Sequence, residues 1–323
     1  SLKGPTGSTM RYWWVNHKQT SRYEINGEFL WSPMLKSDGR RNYFYDTMKE
    51  ASPGDLVVSY SNAKVSFVGQ VLDFAVAAPK PPAFGETGMN WNKNNGWLLP
   101  VAWTRLKKQV SPKAKLDKLA DVLPVKYSPI SSVTGKGNQG AYLAEIGAEV
   151  FHNLDLDFDY DLTALKRNVT ANILLDIDKS IENKILDDRS IDETVRKSLV
   201  NARVGQGVFK ENIYEFENFC RLTKITNPRF LIASHIKPWR LCETAHERLD
   251  GANGLLLTPN ADFLFDRGLI TFCDSGKPIY SSQLDDEIVR ALVLESNRKN
   301  SLQEFHSHQQ AYLKYHRDKI FLN

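Results

Sequence analysis

Residues 231–272 read LIASHIKPWRLCETAHERLDGANGLLLTPNADFLFDRGLITF, an apolar frame interrupted by a few polar anchors. The pattern predicts a strand ending in Ser234-His235, a loop, a second strand over 254–257 and a helix from about Asn260. A β-β-helix unit of this kind can point His235, Asn253 and Asp262 into one small space. Phosphodiester hydrolysis needs such a set. Histidine is the side chain best poised near neutral pH to take a proton from water, and a backbone or Asn carbonyl can fix its tautomer by accepting Nδ1–H. Carboxylates can hold a hard cation against the charge that develops on the phosphate. Asp262 and Asp266 are four residues apart, so they share one helix face. Taken singly, each residue has an ordinary reading. His235 could be a satisfied core histidine, Asn253-Gly254 a turn and Asp262 a helix cap, while Asp266 could pair with Arg267 or Lys237. The ordered set carries the argument.

The words A-S-H-I-K-P-W, E-R-L-D-G-x-N-G-L-L-L and D-x-L-F-D-R-G-L-I-T-F resemble the HNH endonucleases of the ββα-metal fold. The likeness extends upstream to R-V-G-Q-G-V-F at 203–209 and C-R-L-T at 220–223, and downstream to Y-L-K-Y-H-R at 312–317. It implies that His235 is the general base, that Asn253 fixes the loop and orients the base, and that Asp262 ligates the metal in place of the family's last His. Asp266 falls where some members add a ligand. Ser234 stands where many members have Asp or His as a ligand, so metal binding there is weakened or shifts to Asp266. The resemblance implies Mg²⁺, Mn²⁺ or another divalent cation. Cys220, Cys242 and Cys273 form no CxxC pair, so neither a structural zinc nor a disulfide framework is expected. Lys237 is a candidate phosphate contact, and His306, His308 and His316 are read as surface or packing residues of a C-terminal helix.

Outside this unit the chain has 323 residues, 41% apolar and 25% charged, with a net charge of +4. This excludes collagen-like, coiled-coil and wholly disordered chains. Residues 1–150 hold 19 Lys and Arg against 12 Asp and Glu, and the remainder 23 against 26. The positive half could favour a phosphate backbone, although random scatter explains the split as well. Runs at 11–15, 55–60 and 65–77 read as strands, 41–50 as a short helix, and 78–95 as a surface loop. GWLLPVAWTRL at 96–106 reads as a strand, 114–121 as a short helix, 138–151 as a longer one, and 161–200 as helical and charged. Asp155, Asp157, Asp159 and Asp161 have calcium-loop spacing, but Tyr160 and Lys166 stand where such a loop needs Gly and Glu. Residues 1–9 read as a cloning remnant ahead of Met10. No signal peptide or membrane-length apolar run is seen, so a reducing, cytoplasmic setting in a prokaryotic host is expected.

Five of the seven tryptophans lie in residues 11–97. Trp31, Tyr60 and Trp91 sit among Ser and Asn, which suits a pocket that sandwiches a flat base and bonds its edge. YWWVNH, LWS, RNY, PGDLVVSYSN and VGQV, in that order, resemble the EVE-type domains of the PUA-like superfamily, related to the SRA and YTH readers of modified bases. The resemblance implies a base pocket built on Trp31 and Tyr60, with Asn16 and His17 as polar groups. Ser32 and Asn62 neighbour the stacking rings, Trp91 reaches in from the loop, and Arg40, Arg41 and Lys64 are candidate phosphate contacts.

The expectation is an α+β chain: a PUA/EVE-like β-barrel at 10–153, a helical linker at 154–195 and a ββα-metal nuclease domain at 196–323. Together these imply a type IV-like, modification-dependent restriction endonuclease. It would flip and read 5-methyl- or 5-hydroxymethylcytosine in double-stranded DNA, cut nearby as a homodimer and serve in phage defence. The alternatives are a non-catalytic reader with a degenerate nuclease fold, and a nuclease for another modified base, phosphorothioate DNA or RNA.

Overall fold

Trp13, Trp14 and Val15 of β1 (Tyr12–Asn16) are all buried, so both faces of this strand are covered. β1 pairs in parallel with β3 (Leu56–Ser61) and antiparallel with β7 (Leu143–Ile146). In this computed structural model, residues 9–88, 91, 95–161, 163–292 and 302–323 are described. The chain divides into two units, Ser1–Asp176 and Ile177–Asn323.

The first unit adds α1 (Ser21–Gly27), β2 (Phe29–Pro33), α2 (Tyr43–Asp46), β4 (Lys64–Val71), β5 (Val76–Ala78), β6 (Gly96–Val110), α3 (Leu116–Leu119) and α4 (Ala148–Asn153). Its sheet runs β2-β6-β4-β3-β1-β7, with β5 also on β6. The length of β6 explains the curl: Gly96–Pro100 pairs with β2 and Val101–Val110 with β4, so one strand serves two faces. Among the described residues no pair joins β7 to β2. The sheet is a curled half-barrel, where a PUA/EVE-like β-barrel was expected.

Hairpin β3–β4 turns at Asn62 and Ala63, both left-handed with φ 51° and 61°, the geometry that matches strand twist. Trp14, Val58, Val68, Leu106, Ile146 and Phe151 pack one core. Gly96 is required by close approach, since a Cβ there would lie 2.3 Å from the Trp31 ring.

Two local expectations are corrected. Residues 138–151 form β7 and the short α4 rather than one helix, because β1 offers a free edge for Leu143–Ile146 to pair with. Ala78 belongs to β5 and Phe84 is buried, so 78–95 is not wholly a surface loop; residues 89–90 and 92–94 of it lie outside the described residues. The aspartates at 155, 157 and 159 are engaged by Lys115, Lys118 and Lys107. Within the expected linker, α5 (Val169–Asp187) contains the unit boundary.

The second unit continues with α6 (Glu193–Arg203), α7 (Val208–Ile213), β8 (Ile232–His235), α8 (Ala245–Leu249), β9 (Gly254–Leu257) and α9 (Pro259–Asp266). It closes with β10 (Ile270–Phe272), β11 (Pro278–Tyr280), α10 (Asp286–Ala291) and α11 (Ser307–Lys319). β8 and β9 are antiparallel, with His235 opposite Gly254. The 220–223 word has a structural reason. Buried Arg221 donates to both carboxylate oxygens of Glu217 at 3.0 Å and lies 3.5 Å over Phe305, while Gln309 of α11 donates to Glu217 at 2.8 Å. Breaking such a buried pair costs about 3–5 kcal/mol. His316 also holds α11 down. Its ring stacks on Phe265, Nε2 donates to the Phe265 carbonyl at 3.0 Å and Nδ1 accepts from Thr271 at 2.8 Å.

Candidate active site and candidate base pocket

His235 ends β8, so its backbone is fixed by pairing while its side chain faces the loop that follows. Nε2 donates to the Arg248 carbonyl at 2.9 Å. The expected tautomer is corrected: the backbone carbonyl takes the proton of Nε2, not of Nδ1, and leaves Nδ1 as the basic atom. Phe209 stacks flat on the other face, with centroids 3.7 Å apart and planes 6° apart. Burial, with Arg248 and Arg240 nearby, pushes His235 down to about 4. The ring is thus neutral at physiological pH, the form a base needs. A bound phosphate would raise its basicity again.

Asn253 sits fully buried at the entry to β9. Its Oδ1 accepts from the Lys237 amide at 2.8 Å, and its Nδ2 donates to the Glu247 carbonyl at 2.9 Å and the Lys237 carbonyl at 3.3 Å. One side chain therefore ties both ends of the loop whose Arg248 carbonyl holds the histidine. Arg248 itself donates to the Cys242 carbonyl at 2.7 Å.

Asp262 and Asp266 lie on α9. Burial and the charge of Asp266 push Asp262 up to about 6, against a hydrogen bond from the Ser234 hydroxyl. Ser234 thus supports Asp262 from the neighbouring strand. The donors on offer are carboxylate and hydroxyl oxygens, which suit a hard divalent cation. Among the described residues no group of three or more His, Cys, Asp or Glu could hold a metal. Water and a substrate phosphate would have to complete the shell. All three cysteines are free thiols.

Lys237 was expected at a phosphate. It is buried, its ammonium lies 2.8 Å from Glu247 and 4.8 Å over the Tyr315 ring, and so it braces the loop instead. His306 and His308 are exposed, and His306 caps α11.

In the first unit a cavity of about 900 Å³ is lined by Asn16, His17, Trp31, Ser32, Tyr60, Asn62 and Trp91, all seven of the residues expected in a base pocket. Trp31 and Trp91 have ring centroids 6.3 Å apart, and the Trp31 indole donates to the Ala78 carbonyl at 3.1 Å. The Ser32 hydroxyl is buried and has no hydrogen-bond partner among the described residues. Asn16 is committed to the fold: Oδ1 accepts from Trp14 and Nδ2 donates to Pro129, both at 2.8 Å. His17 is equally occupied, at 3.2 Å from Glu24 and 2.6 Å from Ser59. Arg40 and Arg41 lie outside the cavity, paired with Asp38 and Asp46. Lys64 lies on a neighbouring groove.

The sequence reading missed Glu24. It is completely buried, accepts from the Trp31 amide at 2.9 Å and also receives the hydroxyls of Thr20 and Tyr142. Its charge pushes the Tyr142 hydroxyl well up, after burial. Glu24 thereby anchors the cavity's back wall. No local sequence signal marks it, because its partners span residues 17–142.

His235 ends one of two antiparallel strands, Asn253 immediately precedes the other, and Asp262 lies on the helix that follows, a β-β-α order. Residues 220–273 match the family model for HNH endonucleases, so the chain carries an HNH endonuclease domain there. No curated protein matches the chain. No helix among the described residues is long and apolar enough to cross a membrane.

Proposed function

We propose that this chain is a modification-dependent DNA endonuclease in which the first unit reads a flipped, modified cytosine and the second hydrolyses a nearby phosphodiester. The observation that carries the chemistry is His235 stacked on Phe209 with Nε2 donating to the Arg248 carbonyl, which leaves Nδ1 without a hydrogen-bond partner among the described residues. His235 takes the proton of the attacking water at Nδ1. Asn253 keeps the loop, and with it the histidine, in place. Asp262 and Asp266 hold the cation, with Ser234 orienting Asp262. A divalent cation, when bound, neutralises charge on the phosphate and the leaving oxygen.

The reader assignment rests on the cavity and its aromatic walls, together with the buried, unpartnered hydroxyl of Ser32. A stacked base is worth roughly 1–3 kcal/mol per ring. Cutting both strands with one site per chain calls for two copies, so the working form is a homodimer.

The test is cleavage of matched plasmids carrying unmodified, 5-methyl- or 5-hydroxymethylcytosine, with Mg²⁺, Mn²⁺ or EDTA. Metal-dependent cutting confined to modified DNA is expected. Equal cutting of all plasmids would remove the reader, and no cutting with any metal would remove the enzyme. The second outcome would favour a binding protein, a reading that Ser234 in a ligand position supports.

A further inference from the structure

A second concavity, a groove of about 510 Å³, opens beside the base pocket. Its walls come from α1, hairpin β3–β4 and the outer part of β6. Ser61 and Asn62 line both spaces, so the groove and the cavity meet at the hairpin tip. Three cations line it, Arg22, Lys64 and Arg105, and among the described residues no carboxylate does. All three are exposed, and none makes an ion pair among the described residues. By contrast, Arg40, Arg41, Lys107 and Lys115 in the same unit are each paired with aspartate.

Two of the groove's cations are held in place by aromatic rings. Arg105 lies 4.8 Å over Phe67, and Arg22 lies 4.8 Å over Tyr23 and donates to its hydroxyl at 2.8 Å. Guanidinium groups supported in this way, among serine, asparagine and glutamine side chains and without a competing anion, suit oxygens of phosphodiesters.

We propose that this groove holds the sugar-phosphate backbone of the nucleic-acid strand beside the nucleotide whose base enters the cavity. This rests on the reading of the cavity as a base pocket. A flipped nucleotide stays covalently joined to both neighbours, so a strand that delivers a base must run past the cavity mouth. The hairpin tip is where cavity and groove share that mouth. Backbone recognition of this kind carries no sequence information and sets register and affinity.

The experiment measures binding of the full chain carrying His235→Ala, so that nothing is cut, to modified and unmodified duplexes across a salt series. In Arg22→Gln/Arg105→Gln, the slope of log K against log salt is expected to shrink by roughly 0.9 for each phosphate that is no longer neutralised. Affinity for the two duplexes should fall by the same factor, leaving their ratio unchanged. Lys64→Gln alone should reduce the slope by about one such step. Lys108→Gln/Lys113→Gln, an equal charge change outside the groove, should leave the slope at the parent value. An unchanged slope in the groove variants, or an equal reduction in both pairs, would overturn the proposal. Failure of the base-pocket reading shows differently: the parent itself would bind both duplexes equally. Thermal melts of each variant confirm that the fold is intact.

Discussion

His235 Nε2 donates to the main-chain carbonyl of Arg248 at 2.9 Å, across a loop that Asn253 closes from beneath. The imidazole is therefore oriented by backbone, and the backbone by a buried amide. The role implied for Asn253 then needs no contact with substrate. Asn253→Ala leaves the Lys237 amide and the Glu247 carbonyl without their partner. The expected cost is about 1–3 kcal/mol of stability, read from thermal or denaturant melts. Cleavage should fall by more than binding. A fall in binding as large as that in cleavage would place Asn253 at the DNA surface instead.

Asp262 shows the conflict between folding and function. Burial and the neighbouring charge of Asp266 both disfavour its ionised form. Asp262→Asn keeps the shape and can still accept from Ser234. In EDTA it should raise stability by roughly 1 kcal/mol, and with Mg²⁺ or Mn²⁺ present it should abolish cleavage. Added Mg²⁺ or Mn²⁺ should raise the melting temperature of the parent and not of the variant. A variant that melts lower than the parent in EDTA would contradict the repulsion argument.

Ser32 has a hydroxyl buried at the cavity that bonds to nothing among the described residues. Removing an unsatisfied buried group costs the fold nothing and can stabilise it. Ser32→Ala is therefore expected to melt at or above the parent temperature. Its preference for modified over unmodified DNA should fall by up to about tenfold, the worth of one hydrogen bond. Unchanged discrimination would remove Ser32 from the recognition set.

His316 sets an acid limit on the second unit. Burial pushes it down to about 3 from the ordinary 6.5. Between those values the unfolded chain takes up a proton that the folded chain refuses, so stability is complete above pH 6.5 and drains as pH falls toward 3. Unfolding free energy measured from pH 7 to 4 should slope less in His316→Gln than in the parent. Equal slopes would mean that other groups govern the acid transition.

The ββα unit was legible because its polar anchors stand at element ends, where punctuation and periodicity are least ambiguous. Ser234-His235 closes β8, Asn253 precedes β9, and Asp262 lies in the first turn of α9. Residues 138–151 were not legible. Leu143, Ile146 and Val150 have helical spacing, and only the free edge of β1 makes 143–146 a strand. Lys237 read as a phosphate contact because its partner Glu247 stands ten residues on, across a loop closed by tertiary packing. Trp31, Ser32, Tyr60 and Asn62 were legible as cavity residues from their polar-aromatic neighbourhoods, but the commitment of Asn16 to Trp14 and Pro129 was not.

The most direct measurement compares the parent with His235→Ala on one modified duplex, scoring cleavage with Mg²⁺ or Mn²⁺ and binding in EDTA. The account predicts metal-dependent cleavage by the parent, loss of that cleavage in the variant and equal binding by both. Cleavage that survives His235→Ala would contradict it.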